Sequence, residues 1–240
     1  VIIVPFDFET TGTDRDNDRV IEVGASIYST GHKRYFESAG MLVNPLGVAV
    51  TEEITNITGI QQSAVDHYSY NDLDALQTLV EMMGQADAVL GHNVRSFDWP
   101  ILERWAKRHE VALPNVLIVD TFEDIPGVEP ESLITMCAKA GFVYDAHSAL
   151  ADSQASMRLA MYHGIDEIVK RASVPQVAVR SHAPRTTDNA ENKKYKFRWN
   201  PEHKIWWKSV KETDVQALAN KVPFEISVLD KSYLYSLKGA

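Results

Sequence analysis

The stretch Phe6-Asp7-Phe8-Glu9 sets the tightest limit on how this chain can fold. Residues 1–8 are otherwise apolar and β-branched, which reads as a strand. Strand side chains alternate faces, so Asp7 and Glu9 point the same way. Two adjacent carboxylates repel each other and are costly to desolvate. Such a pair calls for a positive counterpart, and a divalent cation is the simplest. The other reading is an exposed strand end with two solvated acids. Pro5 inside the strand implies that its missing N–H is not needed there.

Residues 19–29 alternate apolar and polar or small side chains, and residues 35–43 end at the turn signal Asn44-Pro45. Together with the first strand they suggest an antiparallel meander. The period then changes. Asn71 is placed to cap a helix carrying Leu73, Leu76, Leu79, Val80 and Met83. Residues 88–90 and 116–119 read as short buried strands. Ser96 is placed to cap a helix through Trp99, Leu102 and Trp105, with Pro100 tolerated in its first turn. Helices are expected over 131–140 and 148–162, ending at Gly141 and near Gly164. Three strands followed by alternating helices and short strands argue for a mixed α/β sheet with helices packed on it. Residues 173–192 hold Pro175, Pro184, Thr186 and Thr187 without periodicity and read as a linker. The tail from Lys193 suggests a hairpin with alternating aromatics, a helix over 214–221 and a strand over 224–229.

Charge is uneven. The chain carries −9, yet residues 193–211 hold seven Lys/Arg against Glu202 alone, a balance of +6, which leaves −15 on the rest. An acidic body does not suit phosphate binding, unless its carboxylates hold metals that neutralise them. The basic tail is interleaved with Tyr195, Phe197, Trp199, Trp206 and Trp207. Such a pattern can bind single strands by stacking and phosphate contacts. It can equally form the core of a small module with solvated lysines, and a short module needs its large residues inside. Docking on a polymerase or another protein is a third reading. No apolar run approaches the ~20 residues of a membrane helix, so no membrane span is expected. Residues 1–6 are too short for a secretion signal and lack its basic start. Cys137 is the single cysteine, which excludes an internal disulfide and suits a reducing, cytoplasmic setting; a buried inert thiol is its expected role.

Two further motifs carry acids. In Gly91-His92-Asn93-Val94-Arg95-Ser96-Phe97-Asp98 a short strand meets a helix start, and Asp98 falls in the first turn, where an ordinary dipole-facing acid also belongs. In His147-Ser148-Ala149-Leu150-Ala151-Asp152 the acid lies on an otherwise apolar side of a helix and needs a partner. Asp120 ends a short strand and reads as the holder of a turn rather than of a metal.

Taken together, the sequence resembles the DnaQ-like 3′→5′ exonucleases with a DEDD set and a histidine, a family that includes the proofreading ε subunit of bacterial DNA polymerase III. The resemblance runs from residue 1 to about residue 169. It rests on Phe-Asp-Phe-Glu-Thr-Thr-Gly at 6–12, Ile-Thr-Gly-Ile at 57–60, Val-Leu-Gly-His-Asn with Phe-Asp within 89–98, Val-Asp-Thr at 119–121 and His-Ser-Ala-Leu-Ala-Asp at 147–152.

The resemblance implies a ribonuclease H-like mixed five-stranded sheet flanked by helices, an exonuclease domain over 1–172 and a small α+β module over 193–240. It implies that Asp7, Glu9, Asp98 and Asp152 bind two divalent cations, Mg²⁺ with Mn²⁺ as a substitute, and that His147 is the general base. It implies that Thr10, Thr11 and Gly12 meet the terminal nucleotide, with Gly12 permitting close backbone approach, and that His92, Asn93 and Phe97 shape the pocket wall. The chemistry suits the residues. Two metals ~4 Å apart grip the attacking water and the leaving 3′-oxygen, hard ions prefer carboxylates, and imidazole titrates near neutral pH. The expected substrate is a nucleic acid with a free 3′ end, DNA first. RNA trimming and silent nucleic-acid binding on a nuclease fold are the rival readings.

Overall fold

The computed structural model describes residues 1–14, 16–184 and 189–230. The parts of the expected linker at 185–188 and of the expected module at 231–240 lie outside the described residues. The chain divides into two compact units, Val1–Ala172 and Ser173–Ala240.

The first unit is built on a five-stranded sheet in the order β3-β2-β1-β4-β5, from β1 (Ile2–Thr10), β2 (Val20–Ser29), β3 (Arg34–Leu42), β4 (Ala88–Gly91) and β5 (Leu117–Asp120). Strands β1, β2 and β3 pair antiparallel; β4 and β5 add in parallel. This is the mixed five-stranded, ribonuclease H-like sheet that the family resemblance implies. Strand β1 lies at its centre. The β1–β2 pairing joins Ile3 to Tyr28 and resumes at Phe6 with Ala25, passing over Pro5, which has no N–H to offer.

Alternation along β1 sorts its residues between two cores. Val4, Phe6 and Phe8 face α3 (Asp72–Met83) and α4 (Asp98–Arg108), with the Phe8 ring edge-on to Trp105 at 6.0 Å. Ile3 belongs to the opposite core, with Leu90, Val119, α5 (Leu133–Lys139), α6 (Ala149–His163) and α7 (Ile165–Ala172). Asp7 and Glu9 share the phase of Ile3 and so turn toward the side of α6. Cys137 is fully buried in that core, and burial pushes its thiol up to about 11, the inert state.

Several local expectations are corrected. Two short helices, α1 (Glu52–Thr58) and α2 (Gln62–Tyr68), lie where the periodicity shows nothing. Helix α1 buries no residue, so no apolar stripe marks it; Thr51 caps it and Gly59 ends it in the left-handed conformation. Ser96 does not cap α4, which starts at Asp98 after the cap residue Phe97. Asn71 does cap α3, through its side-chain oxygen to the Leu73 amide.

The second unit carries β6 (Gln176–Ser181), α8 (Ala190–Lys194), β7 (Arg198–Asn200), β8 (Ile205–Lys211), α9 (Val215–Lys221) and β9 (Ile226–Val228). Its sheet runs β7-β8-β6-β9, all antiparallel. Residues 173–192 are therefore not a plain linker. Val177, Ala178 and Val179 are buried in both small cores of this unit, and Pro175 precedes the strand, where a missing N–H costs no ladder bond.

Candidate active site

Glu9 pairs with Glu22 and Asp7 with Gly24 across the β1–β2 ladder, with a register irregularity just after Glu9. At Gly24 helix α6 meets the sheet. A Cβ there would lie 2.0 Å from the carbonyl carbon of Ala149 and from the amide nitrogen of Leu150. Glycine thus lets the first turn of α6 rest on β2. Asp152 sits in that turn. Asp7, Glu9 and Asp152 each bring a carboxylate oxygen within 4.8 Å of the other two.

Asp98 is the first residue of α4 and is buried. One of its oxygens accepts the Phe8 amide at 3.1 Å, which ties the helix start to β1. It lines the same cavity as the other three acids, outside their closest cluster. His147 completes the set. Its backbone has φ 68°, a left-handed conformation uncommon outside glycine. Its amide donates to Asp152 Oδ2 at 2.9 Å, and its exposed side chain lines the same cavity.

The electrostatics follow from burial and crowding. Desolvation holds the Asp7 carboxyl well above the usual range, and repulsion from Asp98, Asp152, Glu9 and Glu22 adds to it. Burial, then Asp152 and Glu22, push Glu9 up to about 7. Burial also raises Asp98 and Asp152, against the amides of Asp98 and Phe8 for the first and the Tyr144 and His147 donors for the second. Among the described residues no Lys or Arg forms an ion pair with any of these four acids. Four crowded oxygen donors lacking a cation of the chain's own fit a hard divalent ion, Mg²⁺ or Mn²⁺.

The cavity, about 230 Å³, is also lined by Phe8, His92, Asn93, Phe97 and Leu133. His92 is held at both ring nitrogens, by the Thr121 hydroxyl at 2.9 Å and the Glu131 carbonyl at 2.9 Å. A carbonyl only accepts, so Nε2 donates to Glu131, while Nδ1 meets the Thr121 hydroxyl, which also donates to the Gly91 carbonyl at 3.1 Å; burial lowers the pKa of the ring. Asn93 sits at φ 61° and donates its amide to Asp120 Oδ1 at 2.8 Å. Asp120 also accepts the amides of Arg95 and Phe122 and is absent from the cavity wall. It holds the turn that leads into α4. Burial pushes it up to about 6 despite those donors.

Thr10, Thr11 and Gly12 do not line the cavity. The Thr10 hydroxyl donates to the Gly12 carbonyl, and the Thr11 hydroxyl donates to Asp18 Oδ1 at 2.8 Å. A Cβ at Gly12 would stand 2.5 Å from Asp18 Oδ2. The room that glycine leaves is taken by Asp18, so the structure explains these three residues by a locked loop.

Two residues of the site escape sequence reasoning. Glu22 places Oε2 2.9 Å from the Ala149 amide and so caps α6 from β2; burial raises its carboxyl too. Its one sequence signal is an acid within the apolar run at 20–25. Tyr144 donates its hydroxyl to Asp152 Oδ1 at 2.6 Å. No spacing or periodicity marks it.

Comparison with known proteins agrees with this geometry. A family model described as an exonuclease, RNase T, matches residues 4–160. The chloroplastic/mitochondrial exonuclease DPD1 of Arabidopsis thaliana is 28% identical over 169 residues, covering 62% of this chain and 52% of that protein. The PolC-type DNA polymerase III of Mycoplasma pneumoniae is 30% identical over 175 residues, covering 66% of this chain and 11% of that protein. The chain thus spans about half the length of the first relative and a small part of the second. Among solved structures, E. coli Exonuclease I in complex with a dA16 oligonucleotide superposes with TM-score 0.58 at 16% identity, over 76% of this chain and 48% of that one. That likeness is one of fold.

Proposed function

Since the chain belongs to the DnaQ-like exonuclease family, whose model spans residues 4–160, we propose that it hydrolyses phosphodiester bonds from the 3′ end of DNA, at single-stranded or frayed ends. One observation carries the reading: Asp152, far along the chain from Asp7 and Glu9, brings a carboxylate oxygen within 4.8 Å of theirs in a cavity that Asp98 and His147 also line. The likeness to a PolC-type DNA polymerase III supports DNA as the substrate.

In this reading Asp7, Glu9, Asp98 and Asp152 hold two Mg²⁺ ions. When bound, these supply charge neutralisation at the phosphate and activation of water at neutral pH. The chain's own groups do the rest. Burial and mutual repulsion raise the pKa values of these carboxyls, and bound cations would favour their ionised forms. His147 accepts the proton of the attacking water at its imidazole. Its exposed side chain can pass that proton to solvent, while the bond from its amide to Asp152 keeps its backbone in register with the carboxylates. Phe8, Phe97 and Leu133 form the apolar wall against which the terminal nucleoside rests, and the tethered His92 ring keeps that wall rigid.

Oligonucleotides of DNA and RNA, labelled at either end, test the reading when incubated with Mg²⁺ or with EDTA. Mononucleotides should leave the 3′ end only, with Mg²⁺ only, and faster from DNA. Binding without cleavage under every metal condition overturns it. Faster release from RNA transfers the activity to RNA trimming.

A further inference from the structure

The second unit settles only part of the question posed by its basic, aromatic sequence. Phe197 and Trp207 are buried and serve as core. Trp199 is not: it stands 45% exposed on the edge strand β7. Across the ladder its partner is Trp206, with ring centroids 5.7 Å apart and tilted by 53°. The exposed side of a large aromatic on an edge strand is the kind of face on which a flat ring stacks.

Lysines flank this pair along the chain. Lys208 follows Trp206 on the same face of β8, and its Nζ donates to the Tyr195 carbonyl at 3.3 Å. That bond ties the Tyr195 carbonyl, which lies between Lys194 at the end of α8 and Lys196, to β8. Lys204 lies in the turn between β7 and β8, and Arg198 is the exposed neighbour of Trp199. Among the described residues no ion pair engages Lys194, Lys196, Arg198 or Lys204. Lys196 and Lys204 also sit at φ 59° and 53°, where Asn or Gly is the easier residue. The ammonium groups are thus held at positions that backbone sterics alone would give to other residues.

We propose that the Trp199–Trp206 face, with Lys194, Lys196 and Lys204, binds single-stranded nucleic acid, bases stacking on the tryptophans and phosphates meeting the cations. The chemistry asked of the ligand is a flexible polyanion carrying flat rings. Single strands present successive flat bases together with regularly spaced phosphates, whereas a double helix hides its bases. The inference deepens the exonuclease reading, on which its biological sense rests. A strand held here is tethered to the chain that carries the carboxylate cavity, which raises its local concentration there.

The test is binding of a fluorescein-labelled oligothymidylate of about twenty nucleotides, followed by anisotropy in EDTA across a salt series. Trp199→Ala should weaken binding about tenfold, and Trp199→Phe should recover most of it. Lys196→Glu combined with Lys204→Glu should weaken binding and lower the log–log salt slope by about 0.7 for each lost phosphate contact. Thermal melts matched to the wild type exclude misfolding. Unchanged affinity and slope in both the alanine and the charge-reversed variants overturn the proposal and leave the face to a protein partner. The wild-type chain's cleavage of a dinucleotide with Mg²⁺ reports on the other reading. Failure there, with oligothymidylate binding still lost in the variants, sinks the nuclease activity and spares this surface.

Discussion

At the scale of the residue, the site depends on how two side chains are held. Tyr144 and the His147 amide each donate to one oxygen of Asp152, so the carboxylate enters the cavity in one orientation. Removing the tyrosyl donor frees it. Tyr144→Phe is expected to weaken Mg²⁺ binding by about 10–100-fold, the usual cost of losing a partner behind a metal ligand, with little loss of stability. Calorimetric titration with Mg²⁺ checks this, and an affinity equal to wild type would remove Tyr144 from the account. His147 makes the opposite prediction. As a base it touches water and not the metals, so His147→Ala should slow turnover about 10²–10⁴-fold while Mg²⁺ affinity stays within about twofold of wild type. Parallel rate and binding measurements separate the two roles.

At the scale of the element, the contact of α6 with β2 brings the acids together. Gly24 sits opposite Asp7 and directly beneath the backbone of Ala149 and Leu150. Gly24→Ala must push the helix start away, because the obstacle is backbone and cannot swing aside. We expect a loss of about 1–3 kcal/mol in urea unfolding, typical of overpacking, together with much weaker Mg²⁺ binding. Loss of stability with metal affinity intact would show that α6 can shift without carrying Asp152 from Asp7 and Glu9. The element scale also shows where sequence patterns reach their limit. Helices α3, α4 and α6 announce themselves because one face of each is buried; α1 does not, because it buries nothing. Strand β6 hides behind Pro175 and a buried run of three residues, too short for a period to show.

At the scale of the whole molecule, the acids couple stability to pH and to metal. Glu9 moves from an ordinary value of 4.5 to about 7 in the fold, and Asp7, Asp98 and Asp152 are raised as well. A carboxyl with a raised folded pKa favours the folded state while protonated. Its contribution is complete below the unfolded value and is lost as pH rises through the folded one. In EDTA the melting temperature of the protein should therefore fall between pH 5 and pH 8, in approximate units that follow the Glu9 value. Divalent ions bind the ionised carboxylates, so Mg²⁺ should raise the melting temperature most at the alkaline end. Differential scanning calorimetry with and without Mg²⁺ reads both trends; a melting temperature that rises with pH in EDTA contradicts the assigned electrostatics.

The sequence by itself determined the local pieces. Alternation put Asp7 and Glu9 on one side of a strand, a polar turn placed Asp98 at a helix start, and Asp152 followed a histidine into another helix; these depend on neighbours a few residues away. Only the tertiary structure decided that the acids meet, because their separation is set by sheet register and by a helix seated on Gly24, the latter a contact between residues more than a hundred positions apart. The same nonlocal packing recruited Glu22 and Tyr144, withdrew Thr10, Thr11 and Gly12 into a loop locked on Asp18, and chose which tryptophans of the tail became core. A side chain's partners lie wherever the fold brings polar groups that must be satisfied, and no spacing along the chain encodes that choice.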